Sequence, residues 1–265
     1  MVQFGRTAWL GPRLPVAFLA LALSPAFGQD PPEFTHPATD PNQPLTAKQF
    51  FKDIGLNFAG LVSTHSIIPL AVGAAATSLA TIPEQDLERH FAPGDIWGIW
   101  GNPGKYIGNP LVLGGVSATL FGFSRKSHDK NFRSFSYALV QGLITTETIS
   151  QSLKPAFHRL RPNGEDHGSF PSSHAVDTFM VATVVEEHYG WKAAIPAYLI
   201  ATYVSATRLE ERKHHLTDVA AGSAIGFLVG KTVSRRIRGG KHARFVWGIY
   251  PSGDGCAGSL HIMLP

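Results

Sequence analysis

Between Lys154 and Asp218 the sequence sets out three groups of residues whose types suit the handling of a phosphoryl group. Lys154 and Arg161 stand seven apart, with Pro162 directly after; Pro171-Ser172-Ser173-His174 follows; Arg208 then precedes His214 by six positions, and Asp218 follows His214 by four. A phosphoryl group in transfer spreads negative charge over its oxygens, so a protein that works on it needs cations and amide donors held in place. Lys154, Arg161 and Arg208 supply cations: the two guanidinium forks can each grip two oxygens, and Lys154 acts as a point charge. Seven residues are about two helical turns, which predicts Lys154 and Arg161 on one side of a helix that Pro162 ends. Pro171-Ser172-Ser173 reads as a helix start, with first-turn amides and a capping serine turned toward an anion and His174 beside it. His214 and Asp218 are at i and i+4, so on a helix the carboxylate can hold one ring nitrogen and leave the other toward phosphorus, a nucleophile with its orienter.

Taken together, K-x6-RP, PSxH and R-x5-H-x3-D resemble the three-part signature of the type 2 phosphatidic acid phosphatase superfamily, which includes bacterial acid phosphatases and vanadium haloperoxidases. Each pattern alone arises by chance in a few per cent of chains this long, but all three in order do so in roughly one in ten thousand. The resemblance implies a mainly α fold, a helical bundle, and metal-independent hydrolysis of a phosphate ester or diphosphate. It implies that His214 attacks to form a phosphohistidine, that His174 protonates the leaving alkoxide and later activates water, and that Lys154, Arg161, Ser172, Ser173 and Arg208 bind phosphate. Two positions depart from the usual pattern: Ser173 stands where a glycine is common, and Thr207 where a serine precedes the third-motif arginine. The alternative activity is a vanadate-dependent haloperoxidase, whose known members are larger; a silent envelope protein is disfavoured because both histidines, the aspartate and all three cations are present.

Singly these residues would mean little, since a lone Arg or Lys on a helix is usually solvated and a lone His-x3-Asp pair is usually a surface contact. The R-x5-H spacing selects His214 over His215. Arg159 reads as a further phosphate contact or a surface charge, and Asp177 as a tuner of His174 or a solvated carboxylate. The other histidines have no ligand spacing, so no metal site and no cofactor are expected.

To position these motifs, helices are expected over about 132–153, 172–189, 191–207 and 215–237, preceded by a helical pattern from Ala47 through Leu61 and by apolar stretches at 67–82 and 106–123. After Gly239-Gly240, the segments 244–250 and 259–264 around a Gly-rich turn predict a short C-terminal β-hairpin. The expected organisation is a signal peptide at 1–28, a Pro-rich linker at 29–46, a helical phosphatase domain at 47–238 and a tail at 239–265. The leader reading rests on Arg6 and Arg13 before the apolar run 14–23 and on small residues near Gly28. It makes the protein exported, periplasmic or bound to the envelope membrane, with its site outside the cytoplasm.

A 44% hydrophobic content can supply one sizeable core. Loss of the leader removes Arg6 and Arg13 and takes the net charge from +4 to +2, too mild a balance for nucleic acid as a partner. Cys256 is the single cysteine and has no intramolecular partner. Several helices approach the apolarity of membrane spans, yet the mean hydropathy is only +0.02. Six spans starting at residue 67 after a cleaved leader would place Lys154 and Arg161 inside the cell and the basic loop 124–133 outside, against the positive-inside tendency. A body on the membrane surface, or one with five spans, avoids that conflict. The expected partner is a phosphorylated lipid or small molecule.

Overall fold

The computed structural model describes residues 36–40, 42–63, 66–91, 98, 101–239, 244–252 and 255–263. It divides into a helical unit, Pro32–Gly240, and a second unit whose described part is a β-hairpin. The expected signal peptide lies outside the described residues.

The helical unit runs α1 (Ala47–Leu61), α2 (Ile67–His90), α3 (Asn102–Ile107), α4 (Pro110–Ser124), α5 (Lys130–Phe157), α6 (Ser173–Tyr189), α7 (Trp191–Glu210) and α8 (Leu216–Arg238). Local chemistry sets three of the starts. Thr46 accepts from the Gln49 amide, Asn109 from that of Leu111, and Asp129 from those of Asn131 and Phe132, each satisfying a donor that a helix start leaves free. Two glycines in left-handed or extended positive-φ conformations make breaks: Gly190 (φ 82) separates α6 from α7 and Gly239 (φ 64) closes α8.

What brings the motifs together is the contact between α6 and α8. Gly222, Gly226 and Gly230 recur every four residues along one side of α8, and a Cβ on them would meet Ser172 O at 2.8 Å, Val176 O at 2.1 Å and Thr183 Cβ at 2.6 Å. Lacking side chains there, the two backbones touch, as small-residue stripes allow between packed helices. The starts of α6 and α8, carrying the second and third motifs, are thereby held side by side. Tyr137, Met180, Val184, Val229, Val233 and Ile237 form the core of α5, α6 and α8 beneath them.

At the opposite end, residues inside the stretch read as a linker are folded onto the helices. Ala38 and Thr39 are fully buried, Arg125 and Arg133 donate to the carbonyls of Ala38 and Asp40, and His36 pairs with the buried Asp53 carboxylate at 3.0 Å. Asp53 also accepts from Tyr137 Oη at 2.6 Å and Arg236 Nη1 at 2.8 Å. A polar stretch can be tethered in this way when buried charges wait for it, which composition does not register.

In the second unit, β1 (Arg244–Ser252) and β2 (Gly255–Met263) pair antiparallel, from Arg244 opposite Met263 to Ser252 opposite Gly255. Pairing therefore continues into the glycine-rich segment expected as a turn.

Candidate active site

The end of α5, the starts of α6 and α8 and the end of α7 bring the three motifs to one end of the helical unit, where α2 also ends. The expected single helix through Lys154 and Arg161 is not what forms. α5 ends at Phe157, and His158 takes a left-handed conformation (φ 43) as its C-cap, so Arg161 stands on the loop between α5 and α6. The bias against αR that Pro162 imposes acts only on Arg161; α5 runs through Pro155 and stops at the left-handed His158 cap before it. The side chains converge nonetheless. Lys154 Nζ donates to Gly168 O at 2.9 Å and Pro171 O at 3.3 Å, while Arg161 Nη1 lies 3.5 Å from His214 Nε2 and donates to Lys213 O at 3.0 Å.

His214 is not on a helix either. It precedes His215, the N-cap of α8, and Asp218 occupies the third helical position, where its carboxylate accepts from the His215 amide at 2.8 Å. The i, i+4 geometry expected for an unbroken helix is therefore lost: Asp218 Oδ2 is 3.9 Å from His214 Nδ1, and the Nδ1 hydrogen bond goes to Ser169 O at 2.6 Å. A carbonyl only accepts, so Nδ1 carries the proton and Nε2 keeps its lone pair, facing Arg161. Asp218 supports this from behind. It is fully buried, takes the Ser169 hydroxyl on Oδ2 and takes Arg159 Nη1 on Oδ1 at 2.6 Å.

Arg159 thus anchors Asp218 instead of facing the anion pocket. Its second arm meets Glu84 of α2 at 2.8 Å, and Glu84 also accepts from the amide and hydroxyl of Thr217. Neither Glu84 nor Ser169 was found by sequence reasoning; both lie outside any motif spacing. His215 turns away, its Nδ1 against Glu88 and its Nε2 against Leu160 O at 3.0 Å, which leaves His214 as the free imidazole. Glu84, Glu88 and His215 have ligand atoms within 4.8 Å of one another, but both Glu84 oxygens are already taken by Arg159 and Thr217.

Ser172 is the N-cap of α6 without a side-chain capping bond, and the buried hydroxyls of Ser172 and Ser173 have no protein partner. Arg208, almost fully buried at the end of α7, pairs with Glu211 at 2.7 Å through Nη2, while its Nε is buried and unpartnered. His174, one residue into α6, presents Nε2 to Lys105 O at 3.3 Å. Asp177, one turn further, is fully buried and accepts from Thr146 Oγ1 at 2.6 Å, so it is not a solvated carboxylate.

Burial depresses the pKa of His214 well below the ordinary value, and the nearby Arg161, Lys154 and His174 push the same way; the Ser169 carbonyl opposes them. The ring therefore stays neutral, with a lone pair on Nε2, at a pH near 6.5 where an ordinary imidazole is half protonated. The linkage has a defined sign: as pH falls below about 6.5 the unfolded chain takes up a proton that the folded chain refuses, so this group's contribution favours unfolding in acid. A ring-proton NMR titration, with the signal identified by its absence in His214→Gln, should give a midpoint below that of free histidine. A midpoint above it would mean that the pocket stabilises imidazolium and that the ring is no resting nucleophile.

Comparison with known proteins places the chemistry-bearing segment. The PAP2 superfamily profile matches residues 135–239. The lipid A 1-phosphatase of Porphyromonas gingivalis is 29% identical over 113 residues, which are 42% of this chain and 25% of that protein. The chain thus spans about a quarter of the length of that curated relative. Among solved structures, a transmembrane PAP2-type phosphatidylglycerolphosphate phosphatase from Bacillus subtilis aligns over 74% of this chain and 98% of its own, with 20% identity and a TM-score of 0.40. All three motifs lie inside the matched segment and gather at one end of the helices it covers, so residues 135–239 are similar to the PAP2 superfamily.

Proposed function

We propose that the protein is a metal-independent lipid phosphate phosphatase working through a phosphohistidine. The observation that carries this is the state of His214: Nδ1 is spent on Ser169 O, and Nε2, with its lone pair, is turned to Arg161 among the motif cations. In the first step Nε2 attacks phosphorus, the P–O ester bond breaks, and the leaving oxygen takes the proton from His174 Nε2. In the second, His174 takes a proton from water as the water oxygen attacks phosphorus, the P–N bond breaks, and inorganic phosphate leaves with His214 neutral again. Lys154, Arg161, Arg208 and the first-turn amides of α6 offset the charge that develops in both steps.

A lipid substrate and a bilayer setting are supported by the surface. Ile67, Ile68, Val72, Leu79 and Ile82 on α2, Leu111, Val116 and Phe123 on α4, and Trp191, Ile195 and Leu199 on α7 are all exposed. Apolar area on this scale marks a membrane or partner contact. α2 has the length and apolarity of a span, with a mean hydropathy of 1.4 and 6% of that window buried. Arg125, Lys126, Lys130, Arg235 and Arg238 lie at the end of the helices away from the site. With that end cytoplasmic, the positive-inside tendency is met and the site faces outward. The conflict found in the sequence came from taking the orientation from a cleaved leader; the basic residues at the far end support the outward-facing site instead.

The test is hydrolysis by the full chain in mixed micelles of phosphatidic acid, a lipid A phosphate and p-nitrophenyl phosphate, with EDTA or orthovanadate. Turnover should survive EDTA, be fastest on a lipid phosphate, and be inhibited by vanadate, which mimics the five-coordinate state and binds ~10² or more times tighter than substrate. Activity lost in EDTA and restored by a divalent cation would overturn the metal-free reading. Peroxide-dependent halide oxidation with vanadate and no hydrolysis would favour the haloperoxidase alternative.

A further inference from the structure

Outside the matched segment and the three motifs, one short element touches two of those motifs. α3 packs on α7 with two glycines four residues apart. At Gly104 a Cβ would lie 2.3 Å from Thr207 Oγ1, beside Arg208; at Gly108 it would lie 2.5 Å from Val204 Cγ1 and 2.8 Å from His174 Cδ2. No side chain fits at either position, so the α3 backbone lies directly against the ring edge of His174. Between the glycines, Lys105 O meets His174 Nε2 at 3.3 Å.

We propose that α3 is a positioning element for proton transfer: the Lys105 carbonyl keeps a proton on Nε2 of His174 and aims it, and Gly104 and Gly108 allow the approach that makes this contact. The inference rests on the reading of His174 as the general acid. Because a carbonyl can only accept, a ring bonded to it carries a proton on Nε2 whether it is neutral or charged, and without that bond imidazole is free to exchange tautomers or rotate. At 3.3 Å the bond is long for N–H···O and is readily exchanged for a leaving oxygen arriving at the same nitrogen. Burial, with Arg208, Lys154 and Arg161 nearby, keeps the resting ring neutral; the negative charge of a bound phosphate offsets those cations and lets the ring take a second proton on Nδ1. The Nε2 proton then passes to the leaving oxygen as the P–O bond electrons move onto it, leaving a neutral ring protonated on Nδ1 whose Nε2 lone pair later accepts a proton from water.

Leaving-group dependence separates this role from general damage. An alkyl phosphate expels a poor leaving group and needs the acid; p-nitrophenyl phosphate expels a good one and does not. In the full-length protein, Gly104→Ala and Gly108→Ala should each lower the single-turnover rate of phosphoenzyme formation from the alkyl ester about 10²-fold, within the range for general acid catalysis, and leave that from the aryl ester within a few-fold. Gly114→Ala on α4, where a Cβ meets nothing within 4 Å, should leave both rates unchanged. Equal losses on both esters in the α3 variants would overturn the proposal. His174→Ala on the same pair shows where a failure lies: no leaving-group bias in that variant removes the acid assignment, whereas a strong bias there with none in the glycine variants removes the role of α3. A measurement on the unsubstituted protein does not depend on variants folding. The ¹⁵N ring shifts of neutral His174 should report a proton on Nε2, and a proton on Nδ1 would overturn the proposal.

Discussion

His214→Ala should bring hydrolysis of every ester to background and remove the covalent phosphoenzyme, while the fold persists. The expected loss is about 10⁴-fold or more, the scale seen when a nucleophile is deleted from a site whose remaining groups still bind substrate. Persistence of the fold follows from the contacts: the ring's hydrogen bonds are to Ser169 O and Arg161, and its removal relieves crowding against cations. Phosphohistidine is labile in acid, so it is sought by mass in alkali-quenched protein. His215→Ala is the matched comparison, because that ring is already held by Glu88 and Leu160 O and should be dispensable for chemistry. Retained turnover in His214→Ala with loss in His215→Ala would transfer the nucleophile to His215 and force a rearrangement of α8's first turn.

The helices and the composition of the site were legible in the sequence because both depend on spacing. α6 and α7 fall within a few residues of the expected ranges, since apolar periodicity bounded by Gly190 and by motif residues marks them. The local geometry was not legible, for a physical reason in each case. Sequence spacing assumed that a helix continues through a motif, whereas α5 stops at an αL cap and α8 starts only after His215, so both i, i+4 and i, i+7 arguments met broken helices. The carbonyls of Ser169 and Lys105 leave no trace in residue type, because any residue supplies a carbonyl. Glu84 lies 75 residues before Arg159 and reaches it only through the packing of α2 on α8. The stripe of Gly222, Gly226 and Gly230 was present as a period of four and carried the information that two helices touch, yet periodicity alone could not say which helix lies against it.

Asp218→Asn should reduce kcat about 10²-fold with little change in KM, less than the ~10⁴-fold loss seen where an aspartate alone fixes a catalytic tautomer. The difference comes from Ser169. Its carbonyl, not the carboxylate, takes the Nδ1 proton, so the correct tautomer of His214 survives the substitution. What the amide cannot do is satisfy donors on both sides. Oδ1 and Oδ2 of Asp218 accept from Arg159, the Ser169 hydroxyl and the His215 amide, and an Asn places an NH₂ against one of these donor groups. Either Arg159 is left with Glu84 alone, or Ser169 loses its anchor and its carbonyl shifts under the ring; both misdirect Nε2 without removing it. Ser169→Ala keeps the carbonyl and should cost less than Asp218→Asn. The measurement is single-turnover formation and decay of the phosphoenzyme: in Asp218→Asn it should form slowly on His214. A variant that forms none, with a loss near that of His214→Ala, would mean that during turnover the carboxylate closes the 3.9 Å gap and binds the ring itself.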